Sequence, residues 1–116
     1  MNTALWIMLA AAGASSPSTM LYCVGDAWLK VGDPAEDSRV LKLDIARGKA
    51  EIGTFSGAAT GSIQATEQHY KGTLRSTGGK SFSFTVDRFS GEFSLMIPAE
   101  SRLEFLGTCQ LRAQKF

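Results

Sequence analysis

The sequence predicts an all-β domain: a small antiparallel β-barrel, or a flattened sandwich, of about seven or eight short strands. Three observations lead there. Beyond residue 19 the apolar residues recur with a period of two, and no stretch carries a convincing helical period. Gly-containing polar turns separate the alternating runs at short intervals. The two cysteines, Cys23 and Cys109, stand near opposite ends of the chain, each in phase with the apolar set of its own segment.

The chain has 116 residues and opens with an uncharged run over residues 4–14 that ends in Ala12-Gly13-Ala14. That run is shorter than the roughly 20 apolar residues a spanning helix needs, and its small-x-small ending fits a signal peptidase. Residues 1–14 therefore read as a cleaved signal peptide, although no Lys or Arg precedes the apolar run. Residues 15–116 read as a single β-domain with no membrane span, exported to the periplasm or secreted.

An even cysteine count in a small exported chain favours a disulfide, because those compartments are oxidising. A Cys23–Cys109 bridge encloses most of the mature chain. On the chain-entropy model, a loop of that length stabilises by at most about 4–5 kcal/mol.

The strands follow in order. Residues 20–31 place Leu21, Cys23, Gly25, Ala27, Leu29 and Val31 on one face. An acidic connection, residues 32–38, leads to residues 39–46 with Leu41, Leu43 and Ile45 inward. Arg47-Gly48 makes a tight turn into residues 49–55. Residues 58–66 offer Ala59, Gly61, Ile63 and Ala65, and residues 69–76 offer Tyr70, Gly72 and Leu74. The plainest hairpin joins Ser81–Asp87, with Phe82, Phe84 and Val86 inward, to Glu92–Ile97, with Phe93, Leu95 and Ile97 inward. Its connection, Arg88-Phe89-Ser90-Gly91, ends in a glycine free to take a positive φ. Residues 102–112 close the series with Leu103, Phe105, Gly107, Cys109 and Leu111 on one face. Short connections suit neighbouring antiparallel strands, and a bridge from the first strand to the last implies that the ends meet.

The chemistry-bearing residues point away from catalysis. Twelve Lys and Arg against eleven Asp and Glu leave a net charge of +1 without a basic patch. This predicts neither a nucleic-acid footprint nor attraction to an anionic membrane. The Gly-Lys-Ser of Gly79-Lys80-Ser81 lacks the earlier glycine of a phosphate loop, Leu74 standing in its place, and a strand follows where a helix is required. His69 is the sole histidine, and no Gly-x-Ser-x-Gly elbow accompanies it. Glu67 and His69 supply two metal ligands without a third, and Asp44, Asp87 and Glu92 read as turn or surface carboxylates. No catalytic, metal or cofactor site is expected.

Trp28 stands apart. By alternation it shares the face of Tyr22, Val24 and Asp26, opposite Cys23. If Cys23 points inward, Tyr22, Val24 and Trp28 form an outward apolar stripe, a candidate contact surface because aromatics concentrate at binding hot spots. Gly25, Gly61, Gly72 and Gly107 fall on inward faces, where they either open a cavity or let strands bend.

Leu21-Tyr22-Cys23, Asp87-Arg88-Phe89-Ser90-Gly91 and Gly107-Thr108-Cys109 together resemble a set of short exported bacterial proteins closed by one disulfide, which carry no assigned activity. The terminal strands, with Cys109-Gln110-Leu111, are also similar to those of periplasmic inhibitors of C-type lysozyme. That second resemblance implies a small disulfide-joined barrel. The inhibitors' Ser-Gly-x-x-Tyr and Trp-x-Lys-Gly segments are missing here, so no inhibitory residue carries over. The expected function is a non-enzymatic exported binding or inhibitory module whose partner is a protein or cell-envelope component. The alternative is a small-ligand carrier using the barrel interior.

Overall fold

A computed structural model describes residues 19–29 and 32–111. Eight strands run in chain order: β1 Thr19–Ala27, β2 Ala35–Asp44, β3 Lys49–Thr54, β4 Gly57–Ala65, β5 His69–Ser76, β6 Ser81–Asp87, β7 Glu92–Ile97 and β8 Arg102–Gln110. Each pairs antiparallel with the next, and β8 pairs with β1, which closes the barrel. The only helical element among the described residues is a short 3-10 turn, Pro98–Glu100. The expected signal segment, residues 1–14, lies outside the described residues, as do Val31 and Arg112.

Alternation accounts for the core. Leu21, Leu41, Leu43, Ile52, Leu74, Phe82, Phe84, Val86, Phe93, Leu95, Ile97 and Phe105 are buried in one cluster with both cysteines. Phe93 stands at the centre of an aromatic row, its ring centroid 6.3 Å from that of Phe84 and 5.7 Å from that of Phe105. An eight-stranded barrel is just wide enough for such side chains to fill.

The seam between β1 and β8 is closely packed. Cys23 and Cys109 are paired directly across it and joined by the disulfide, with their Cα atoms 3.9 Å apart. Gly25 lies opposite Gly107 in the same ladder. A Cβ on Gly25 would fall 2.2 Å from the Leu106 carbonyl oxygen and 2.4 Å from the Gly107 Cα. Gly61 and Gly72 are similar, with Cβ positions 2.0 and 2.3 Å from carbonyl oxygens of Thr73 and Ser62. The neighbouring main chain therefore takes up the space beside these four glycines, and they permit coiling of the strands.

Six expectations about the strands need correction. The first strand ends at Ala27, so Leu29 does not continue the inward set and is 67% exposed. The second begins at Ala35, because half of the acidic segment pairs with β1 from Ala27↔Ala35 onward. Ile45 falls in the β2–β3 turn and is exposed, and Ala65, at the end of β4, is exposed too. Leu111 lies past the end of β8 and is exposed. Alternation also breaks inside β8: Leu95 pairs with Phe105 but Met96 pairs with Leu103. Glu104 is the extra residue of a β-bulge, and it is buried alongside Phe105 while Leu103 is only half-buried.

The seam glycines give a direct test. Gly25→Ala is expected to destabilise by about 2 kcal/mol or more, since rigid backbone must move to admit the methyl group. Gly53→Ala, whose Cβ meets nothing within 4 Å, is expected to be neutral or slightly stabilising. Urea denaturation of the two variants measures the difference.

Candidate functional site

The outer surface of the barrel is chemically uneven. On the seam, Tyr22 of β1 is half-buried and Val24 is 57% exposed. Register brings further apolar residues beside them. Val40 of β2 lies opposite Tyr22, and Leu106 of β8 lies opposite Asp26, the next outward residue after Val24. Met20 continues the row, and Met20, Val40 and Leu106 are all exposed. The polar positions between them are Ser38, Thr108 and Gln110, with Lys42, Glu36 and Asp26 at the margins. Around β4, β5 and β6 the outward positions are Ser62, Gln64, Lys71, Thr73, Ser83 and Thr85, which line a shallow depression of about 370 Å³. Large exposed apolar residues thus lie along β8–β1–β2, with Met96 on the neighbouring β7, and none lies on β4, β5 or β6.

Trp28 does not extend this row as strand alternation would have it. It lies past the end of β1 and is half-buried. Its N–H donates to the Glu104 carbonyl (2.9 Å), and its own carbonyl accepts from Arg102 Nη1 (3.3 Å). The structure therefore brings Tyr22 and Val24 together with Val40 and Leu106, and sets Trp28 at the end of the barrel where the bulge sits.

That end holds a buried ion pair that sequence reasoning missed. Arg39 is in phase with Leu41 and Leu43 and points inward. Its Nη1 donates to Glu104 Oε2 and to the Gly53 carbonyl, both at 2.9 Å, and its Nε donates to Asp37 Oδ2 at 3.2 Å. The guanidinium carbon lies 4.9 Å from the Phe55 ring centroid and 5.1 Å from that of Phe105. Side-chain exposure is 6% for Arg39 and 2% for Glu104, so both charges have left water. A buried charge is tolerated only when it is paired and hydrogen-bonded, and here the pair ties β2, β3 and β8 together. The signal for Arg39 was its phase. None existed for Glu104, whose inward position depends on the bulge.

The opposite end carries the β6–β7 loop. Asp87 Oδ1 accepts the N–H groups of Phe89 (2.8 Å) and Ser90 (2.9 Å), and Asp87 Oδ2 accepts Gln68 Nε2 (2.8 Å). These bonds hold the Asp87 carboxyl down at about 2, against an ordinary value of 3.8, with Ser90 the largest contributor. His69 Nε2 stands 4.0 Å from Asp87 Oδ2. Arg88 lays its guanidinium 4.7 Å from the Tyr70 ring centroid and donates from Nη1 to the Thr66 carbonyl. Its N–H donates to the Gln68 carbonyl at 2.8 Å. Gly91, at φ 80°, completes the loop in the conformation expected for a glycine there. Phe89, by contrast, is 77% exposed.

Two other residues considered for chemistry are engaged in turns. Asp44 Oδ1 accepts the Arg47 N–H at 3.1 Å, and Lys80 closes the β5–β6 hairpin through its N–H to Ser76 Oγ at 3.0 Å. Among the described residues, no three His, Cys, Asp or Glu side chains come together as metal ligands. No described helix is long and apolar enough to cross a membrane. Comparison with protein-family profiles, characterised proteins and solved structures finds no match to this chain.

Two expectations follow. Glu104→Ala should cost about 3 kcal/mol or more by leaving Arg39 buried without its partner, whereas Arg39→Met/Glu104→Leu should cost much less; chemical denaturation of the three proteins decides it. Because the Asp87 value is lowered on folding, its contribution is complete above the unfolded value near 4 and disappears as pH falls through about 2. The amide resonances of Phe89 and Ser90, followed by NMR in acid, should titrate with a midpoint near 2.

Proposed function

We propose that this chain is a non-enzymatic, exported binding or inhibitory module that engages a protein or cell-envelope partner through the outer face of β8–β1–β2. The observation that carries the reading is the one-sided surface: Met20, Tyr22, Val24, Val40 and Leu106 meet across three strands, while the β4–β6 face is polar. Clustered apolar side chains with a polar surround are the composition of a contact patch. Closure limits how a partner can bind. Every described strand has two neighbours, but Ala35–Val40 of β2 registers with β1 and not with β3, so over most of the barrel contact must come through side chains.

Exported character is supported by the disulfide and by the reading of residues 1–14. Absence of catalysis is supported by the engagement of Asp44 and Asp87 in turn hydrogen bonds. A carrier reading gains no support from the inward glycines, since main chain lies where a cavity would be needed.

Replacing Tyr22 and Val24 together by Ser tests the face without disturbing the interior. Immobilised wild-type protein should recover a partner from envelope extract, and the double variant, equal in thermal stability, should not. Equal recovery by both proteins would remove this face from the proposal.

A further inference from the structure

We infer that the β6–β7 loop, residues 88–91, is a preformed binding finger whose anchor, Phe89, enters a concave apolar pocket on a protein partner. The inference rests on the reading of the chain as a binding module and names a second contact for it.

Two features of the loop support this. The first is the extent of its bracing. Asp87 holds the N–H groups of both tip residues, Phe89 and Ser90, and is itself held by Gln68. Arg88 is fixed by its N–H to Gln68, by its guanidinium to Thr66, and by stacking over Tyr70. On the other side the Gly91 N–H donates to the Asp87 carbonyl at 2.9 Å, and the Cys109 N–H donates to the Gly91 carbonyl at 2.8 Å. The loop is thereby pinned to the β4–β5 turn and to β8, beside the disulfide.

The second feature is the residue so positioned. Phe89 is the most exposed of the large apolar residues described, at 77%. A rigid loop that presents an aromatic ring loses little conformational entropy when it binds, which is how preorganised recognition loops gain affinity.

The shape of the feature names its partner. The ring stands exposed at the lip of a depression of about 320 Å³ that Leu21, Tyr70 and Leu111 also line, and a flat surface would leave most of it wet, so the fitting surface is one that closes over the ring with apolar groups. A lipid surface fits less well. Asp87, whose carboxylate stays ionised down to about pH 2, and Glu92 flank the single cation Arg88, whereas anionic headgroups attract runs of basic residues. The finger and the seam face are also continuous. His69, Asp87 and Glu92 at the base of the loop line the same depression, of about 290 Å³, as Leu106 of the seam. One partner can therefore cover both.

The test places a photo-reactive benzoylphenylalanine at position 89 in one full-length protein and at position 24 in another. The expected result is an adduct from position 89 with a single protein whose cross-linked peptide lines an apolar pocket. With that partner purified, Phe89→Ala should weaken binding by about 30-fold or more and Phe89→Leu by less. Melting temperature should be unchanged in both variants. An adduct from position 24 but not from position 89 would overturn the finger and leave the seam reading standing. Adducts from neither position would overturn both. Binding to phosphatidylethanolamine–phosphatidylglycerol vesicles that Phe89→Ala abolishes would also overturn the inference, in favour of a lipid surface.

Discussion

Everything in this molecule depends on the pairing of β1 with β8. These strands come from opposite ends of the domain, and the cysteines that meet in their ladder are 86 positions apart in sequence. Bringing such distant segments together carries a loop-closure cost in entropy that local hairpins do not. Two devices in the sequence meet that demand. The disulfide withdraws closure entropy from the unfolded chain. The opposed glycines, Gly25 and Gly107, let the two backbones approach more closely than any side chain would allow. With the seam formed, Leu21 and Cys109 are buried in the same cluster as Phe82, Phe84 and Val86, and every described strand has a neighbour on each side.

The two ends of the barrel handle polarity in opposite ways. At one, the bulge in β8 turns Glu104 inward to meet Arg39, so a charged pair lies between aromatic rings under the β3–β4 turn. Such a pair contributes little net stability over well-packed apolar residues, but it penalises any register that separates the two charges. At the other, the polar groups are all shallow. Asp87, Gln68, Thr66 and Arg88 bond to one another at the surface and fix the loop, leaving its aromatic ring outside. The first arrangement specifies the fold; the second shapes a surface.

How much of this could be read from sequence follows from the range over which each feature is determined. The β6–β7 hairpin was legible to the residue because one face is buried and the other solvated, so Phe82, Phe84 and Val86 alternate cleanly with Ser83 and Thr85. Cys23 and Cys109 were legible as a pair because each shares the phase of its apolar neighbours. Strand ends were less so. Leu29 keeps the alternation of β1 after the strand has stopped, and Ala35–Ser38 reads as an acidic loop although β1 pairs with it. Glu104 was illegible, since a bulge is a change in the register of two strands and leaves no mark on either one alone. The contact face shows the same limit. Tyr22 and Val24 announce themselves on β1, but Val40 and Leu106 join them only through cross-strand register.

Closure and recognition are therefore coupled through one strand. Along β1, Leu21, Cys23 and Ala27 point into the core and Tyr22 and Val24 point out, so the segment that seals the barrel also displays its apolar surface. Val40 and Leu106 reach that surface only while β2 and β8 flank β1 in their native registers. The same holds at the loop, where the bond from the Cys109 N–H to the Gly91 carbonyl links the finger to the residue that carries the bridge. Neither proposed contact is a property of a short stretch of sequence that would survive alone. Both are assembled by the seam, so the bridge, although chemically inert in any binding event, holds in place the strands on which recognition is proposed to depend.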